Sequence, residues 1–128
     1  MCRVLSVEYS IPYLVKRHVS LRRAEVPVES ASTLREALTL MRLGEFDVAV
    51  LGHGIPESER NRIAEGLLEM KPSIRIIMMY AGSINNADRA DAVLSLEGEQ
   101  HLVATIKSLA ARIKASRSVD VLKKAAGF

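Results

Sequence analysis

Cysteine and aromatic side chains are scarce in this sequence. Its 128 residues include one cysteine, Cys2, three tyrosines, two phenylalanines and no tryptophan. A single cysteine excludes an internal disulfide and a thiolate-based metal site, and it agrees with a reducing compartment.

Long apolar runs are missing too. No stretch approaches the roughly 20 apolar residues of a membrane span, and the N-terminus lacks the basic-apolar-small order of a signal peptide. We therefore expect a cytoplasmic protein without a membrane partner. The net charge of +3 is too small to indicate a class of partner.

One short stretch stands at the centre of the predicted structure. Val48 to Leu51 form an unbroken apolar run, too short for a helix and rich in β-branched residues, which predicts a strand buried on both faces. Gly52, Gly54 and Pro56 follow and predict a tight loop. In a parallel α/β sheet, such a loop is where a site is expected.

Further strands and helices alternate along the chain. Strands are predicted at residues 3–7, 26–30, 74–81 and 92–96. Pro27 cannot donate a ladder hydrogen bond, so the second strand is expected at a sheet edge. Residues 82–91, between the fourth and fifth strands, are few and polar, so the fourth helix should be short or missing.

The helices are predicted from apolar periodicity and from capping signals. The first has Ser10 as its N-cap and Pro12 at an early helical position, the second begins at the Thr33–Glu36 capping box, and the third has Glu57 and Glu59 at its N-terminus. A last helix begins near Leu102. In the first helix the predicted inner face comprises Ile11, Leu14, Val15, His18 and Val19, and the side chains predicted to turn away are Lys16, Arg17 and Arg23.

These elements predict one α/β domain. Parallel strands need crossover connections, so a five-stranded parallel sheet with helices on both faces is expected. The edge-like second strand favours the flavodoxin-like order 2-1-3-4-5. The domain is expected to cover residues 1–115, with residues 116–128 forming a tail or a helix extension.

The run from Phe46 to Gly52, followed by Ile55 and Pro56, resembles the third strand of CheY-like receiver domains of two-component response regulators. In that family the strand ends in a phosphorylatable aspartate, and Gly52 stands at its place. The resemblance extends over nearly the whole chain, from about Arg3 to about Ile113. It implies a receiver fold and a role in signal transduction.

The resemblance also implies which positions form the pocket, and most of them depart from the family's pattern. Receivers end the first strand with two acidic residues, where this chain has Glu8 and Tyr9. The small hydroxyl that ends their fourth strand is replaced by Tyr80, and the lysine that ends their fifth by Leu96. With Gly52 in place of the nucleophile, the chain also lacks most of the ligands for a metal ion and the lysine that would offset phosphoryl charge. The chain is therefore interpreted as a degenerate receiver.

Three pocket residues have alternative interpretations. Glu8 is a weak candidate metal ligand, and the plainer interpretation is a solvated or hydrogen-bonded carboxylate at a strand end. His53 could accept a phosphoryl group or bind a metal, but no second His or Cys lies at ligand spacing. The resemblance offers Tyr80 as the rotating aromatic that receivers use as a readout, but in that family the aromatic lies in strand five, where this chain has Val93, so packing at the edge of the core is favoured. We expect no cofactor and no catalytic residue.

Basic residues gather on the first and last helices and in the tail. They are Lys16, Arg17, Arg22, Arg23, Lys107, Arg112, Lys114, Arg117, Lys123 and Lys124. No helix-turn-helix, zinc ligand set or aromatic stacking pattern accompanies them, so a solvated surface is favoured over nucleic-acid binding.

The favoured function is an atypical, stand-alone receiver-like signalling protein that contacts a protein partner or a second copy of itself and is not an enzyme. The alternative is a small-ligand or nucleotide-binding flavodoxin-like protein that uses the crevice at the C-terminal ends of strands 1 and 3. Against it, no glycine-rich phosphate fingerprint follows the first strand. The contact face is expected to include Leu94 or Leu96 and the flank of the last helix around Leu102 and Ile106, which a missing fourth helix would leave exposed, with the tail from Ser116 onward contributing.

Overall fold

The computed structural model describes residues 2–82 and 89–112. The strands are β1 (Val4–Val7), β2 (Val28–Ala31), β3 (Val48–Leu51), β4 (Arg75–Tyr80) and β5 (Ala92–Ser95). The helices are α1 (Ile11–Arg23), α2 (Leu34–Leu43) and α3 (Glu57–Met70), and a 3₁₀ helix (Leu96–His101) precedes the last helix, residues 102–112. None of the helices in these described ranges is both long and apolar enough to cross a bilayer.

The five strands form one parallel sheet in the order β2-β1-β3-β4-β5, which confirms the predicted topology. β2 lies at an edge, as Pro27 predicted. Val7 is in register with Leu51, so β1 and β3 end side by side. The residues that follow them, Glu8 and Gly52, are therefore neighbours at the carboxyl edge of the sheet.

Each face of the sheet is covered by its own apolar cluster. Successive side chains of a strand point to opposite faces. Ala49 and Leu51 of β3 join the cluster under α2 and α3, while Val48 and Val50 join the cluster under α1 and the last helix. All four residues of β3 are buried, which accounts for their unbroken apolar run.

Helix α1 buries a different face from the predicted one. The buried residues are Leu14, Arg17 and Leu21, whereas Ile11, Val15 and Val19 are 54%, 55% and 40% exposed. The prediction that Ile11, Val15 and Val19 face the sheet is therefore wrong, and so is the prediction that Arg17 faces solvent. The buried and the exposed residues both recur at helical spacing, so spacing alone does not decide between them. The buried face is the one on which Arg17 pairs with carboxylates, as described below.

Helix α2 begins at the predicted cap. The Thr33 hydroxyl accepts a hydrogen bond from the Glu36 N–H at 3.1 Å. The Glu36 carboxylate accepts bonds from the Ser32 N–H at 3.1 Å and from the Ser32 hydroxyl at 3.0 Å. The reciprocal bonds of a capping box therefore form, with the carboxylate reaching one residue further back than usual.

The last helix packs into the core. Leu102, Ile106 and Leu109 are 3%, 1% and 3% exposed. The prediction that Leu102 and Ile106 form an exposed contact face is therefore wrong. The predicted shortness of the helix between β4 and β5 concerns residues 82–91, of which 83–88 lie outside the described residues. Residues 116–128 of the predicted tail lie outside them as well.

Candidate functional site

The candidate site lies where β1 and β3 end. The Gly52 N–H donates a hydrogen bond to the Val7 carbonyl at 2.8 Å, and the Glu8 N–H donates to the Ala31 carbonyl at 3.1 Å. These bonds continue the sheet ladder by one residue on each side of β1. The Glu8 side chain is thereby held at the start of the loop that contains Gly52 and Gly54.

Glu8 is fully buried, and its carboxylate is hydrogen-bonded to backbone. The Gly54 N–H donates to Oε2 at 3.0 Å and more weakly to Oε1 at 3.3 Å, and the Ser10 N–H donates to Oε2 at 3.3 Å. Of the two plainer interpretations of Glu8, the solvated carboxylate is wrong, and the hydrogen-bonded carboxylate at a strand end matches the structure.

Gly52 and Gly54 leave the room that the carboxylate occupies. A Cβ atom built on Gly52 would lie closer than 3.0 Å to the carboxyl carbon and to both oxygens of Glu8, and one built on Gly54 would lie 2.5 Å from Oε2. Neither residue has a positive φ, so the backbone does not require glycine here. Glycine is required here because any side chain would overlap the Glu8 carboxylate.

Arg17 is the cation of this site, although it was predicted to face solvent. Its side chain is fully buried, with Nη1 3.5 Å from Glu8 Oε1 and Nε donating to Glu99 Oε1 at 3.0 Å. Burying a guanidinium is costly unless carboxylates pair with it, and two do so here. Its burial could have been inferred from its spacing, because it lies three residues after Leu14 and four before Leu21, on the face of α1 that those two residues share.

His53 lies at the rim of the site. Its Nδ1 is 3.3 Å from Glu8 Oε1, and its side chain is 13% exposed. The ring packs edge-on against Tyr13, with 4.4 Å between the ring centroids. The structure therefore brings together three of the predicted site residues, Glu8, Gly52 and His53.

Tyr9, Tyr80 and Leu96 have other surroundings. Tyr9 packs against the cluster under α2 and α3 and is hydrogen-bonded to Glu59. Burial raises the pKa of the Tyr9 phenol, and the Glu59 carboxylate raises it further. Tyr80 is half-buried and ends β4 opposite Ser95. Leu96 lines a groove rather than the Glu8 pocket.

That groove lies between α1 and the last helix and has a volume of about 350 Å³. Its lining includes Lys16, Arg17, Ser20, Leu96, Glu99 and Val103. The Arg17–Glu99 ion pair therefore lies between the groove and the Glu8 pocket.

Metal binding finds little support at this site. Within residues 2–82 and 89–112, no group of three or more His, Cys, Asp and Glu side chains is placed to hold a metal ion. The Glu8 carboxylate already has two backbone donors and a guanidinium beside it.

No protein-family model matches the sequence, and no curated protein matches it. Solved structures do match. A response-regulator receiver domain protein from Clostridium thermocellum superposes with a TM-score of 0.79 at 19% identity, over 90% of this chain and 98% of that one. A CheY-like receiver domain protein from Methanospirillum hungatei gives 0.78 at 20% identity, over 91% and 98%. The fold is that of response-regulator receiver domains.

A third relative of the receiver fold was solved with a ligand. The response regulator TrrA from Thermotoga maritima, in complex with Mg²⁺ and BeF, superposes with a TM-score of 0.73 at 22% identity, over 85% of this chain and 99% of that one.

Proposed function

We propose that this chain is a receiver-like signal-transduction protein that acts by protein–protein contact and without aspartyl phosphorylation. The observation that carries the proposal is at the end of β3, where the receiver resemblance expects the phosphoacceptor. Gly52 has no side chain, and the space that a Cβ would take is filled by the Glu8 carboxylate. An acceptor carboxylate at position 52 would have to displace a buried, hydrogen-bonded one.

The charges around the pocket support the same proposal. A phosphoryl group brings two to three negative charges, which must be offset by metal and cationic side chains. Arg17 is already paired with Glu8 and Glu99. A phosphoryl group would therefore compete with two carboxylates for that guanidinium.

The outer stripe of α1, formed by Ile11, Val15 and Val19, supports action through protein contact. These aliphatic side chains recur every four residues and are 40–55% exposed. Contiguous exposed apolar side chains are typical of interfaces. Lys16, Arg22 and Arg23 are exposed on the same helix, which has no acidic residue.

The charge of α1 favours a different protein over a second copy as the partner. Two outer stripes paired in parallel would bring Arg22 and Arg23 of one copy close to those of the other. Antiparallel pairing would bring them to the partner's helix N-terminus, whose free N–H groups also carry partial positive charge. We infer a protein partner with an apolar surface bordered by carboxylates.

Ligand binding in the crevice at the ends of β1 and β3 is less well supported. The Glu8 side chain fills the space beside Gly52 and Gly54. A nucleotide or flavin would need that volume.

The proposed absence of aspartyl phosphorylation is tested by incubating the protein with acetyl phosphate and Mg²⁺ and measuring its intact mass. We expect no added phosphoryl mass, because position 52 offers no carboxylate. A receiver domain with the ordinary aspartate, treated in parallel, is the positive control. A phosphoryl adduct that maps to Glu8, His53 or another crevice residue would overturn the proposal.

A further inference from the structure

The Glu8 carboxylate has the surroundings of a bound anionic ligand. Two backbone N–H groups, of Ser10 and Gly54, point at its oxygens at 3.0 to 3.3 Å. A buried guanidinium, that of Arg17, lies 3.5 Å from Oε1, and His53 Nδ1 lies 3.3 Å from it. These groups come from three separate segments of the chain: the residues after β1, helix α1 and the β3–α3 loop.

Two of these side chains have nitrogen atoms that make no hydrogen bond within residues 2–82 and 89–112. Nη1 and Nη2 of Arg17 and Nδ1 of His53 are buried without a hydrogen-bond partner among the described residues. Charged donors make the stronger hydrogen bonds to carboxylates when the geometry allows. The pocket therefore surrounds the Glu8 carboxylate with hydrogen-bonding groups, and the charge of Arg17 is shared between Glu8 and Glu99.

Gly52 and Gly54 make room for a carboxyl group in the β3–α3 loop. Without a Cβ at positions 52 and 54, the loop leaves space of the size of one carboxylate. If the Glu8 side chain were shortened, the space and the donors would remain, with Arg17 still held by Glu99 at 3.0 Å.

We propose that the end of β1 and the β3–α3 loop form a binding site for a small carboxylate, and that the chain's own Glu8 is its resident ligand. The site takes a planar monoanion, because Arg17 supplies one positive charge that Glu99 already shares and the cavity has the dimensions of a carboxyl group. This inference is independent of the proposed function, since the site can be self-occupied whether or not another residue is phosphorylated.

The size of the removed fragment sets the ligand that should restore the site. Glu8→Ala removes the Cγ methylene and the carboxylate, which acetate replaces atom for atom. Glu8→Gly removes one carbon more, which propionate replaces. Formate should fill either cavity less completely, because it lacks the apolar carbons.

The test is thermal unfolding of Glu8→Ala in sodium acetate and in sodium chloride of equal ionic strength, with wild type alongside. Acetate at about ten times its dissociation constant should lower the unfolding equilibrium constant of the variant about tenfold. Wild type should not respond, because its site is occupied. In Glu8→Gly, propionate should be more effective than acetate.

Two further variants separate the site from a general salt effect. Adding Arg17→Met to Glu8→Ala should abolish the acetate response, and adding Lys16→Met, the exposed neighbour, should leave it intact. An equal acetate effect on wild type and Glu8→Ala would overturn the proposal. If Glu8→Ala does not fold in chloride, refolding from urea in acetate supports the site, and failure in both salts contradicts it.

Discussion

At the residue scale, the absence of one Cβ atom at position 52 determines what the pocket can hold. We predict that Gly52→Ala destabilises the protein by about 1–3 kcal/mol, because the new methyl group overlaps the Glu8 carboxylate. Gly52→Asp should destabilise it further and remain unmodified by acetyl phosphate. Urea unfolding and intact-mass measurement check the two expectations.

Gly66 of α3 provides the matched control. A Cβ at Gly66 would meet only the Leu38 Cδ2 atom, at an ordinary 3.7 Å. Gly66→Ala should therefore stabilise the protein by about 0.5–1 kcal/mol, since alanine is the better helix former. If Gly52→Ala were as stable as Gly66→Ala, the Glu8 carboxylate would not occupy the place described here.

Sequence reasoning located part of the site and missed its cation. Glu8, Gly52 and His53 could be placed together because the ends of parallel strands meet at one edge of a sheet. Arg17 could not be placed by the same logic. Its burial depends on Glu8 and on Glu99, which is 82 residues away in sequence. Arg60 of α3 is buried as well, and the carbonyl to which it donates, that of Met79, lies in another element, β4.

At the scale of secondary-structure elements, α1 exposes apolar residues that were predicted to be buried, and the last helix buries residues that were predicted to be exposed. We predict that Leu102→Glu destabilises the domain by about 3 kcal/mol or more, because it removes a buried side chain and introduces an unpaired charge into the core. Val15→Glu, on the outer stripe, should change stability by less than about 0.5 kcal/mol. Chemical denaturation of both variants measures the contrast.

Sedimentation velocity of wild type and Val15→Glu adds a test of the partner. Wild type should sediment as a monomer, because its exposed basic side chains disfavour pairing of two α1 helices. A wild-type dimer that Val15→Glu dissociates would contradict the inference of a different protein as partner.

The bounds of the elements were easier to predict than their buried faces. The run from Val48 to Leu51 could be identified as a central strand because a strand buried on both faces needs apolar residues throughout. Helix α1 has two apolar rows, Leu14 with Leu21 and the outer stripe, so periodicity alone could not select one. The choice required knowing where the Arg17 charge is paired.

At the scale of the whole molecule, the order of the strands predicts where the fold opens first. β1 and β3 lie inside the sheet and are entirely buried, whereas β5 is a sheet edge whose residues are partly buried or exposed. Amides of β1 and β3 should exchange with solvent by global unfolding, and those of β5 by smaller openings of lower free energy. Hydrogen exchange as a function of denaturant measures this difference. Equal protection of β3 and β5 would show that the sheet opens as one unit.

The overall topology was predictable because alternating strands and helices in a chain of this length leave few arrangements open. The edge position of β2 followed from Pro27. What the sequence could not supply was the distribution of exposed apolar surface, which depends on how α1 and the last helix rotate against the sheet.

A covalently attached carboxylate has a consequence for how such a protein can receive information. The effective concentration of a tethered group is in the millimolar range or above, and it does not change with metabolism. Free anions would have to exceed that concentration to displace Glu8, so we expect Glu8 to occupy the pocket at lower anion concentrations. Any change of conformation must then be driven by something that binds elsewhere with different affinities for the two conformations. Under the proposed function, the input would be the arrival of a protein partner at the surface, and the duration of the signal would be the residence time of that partner.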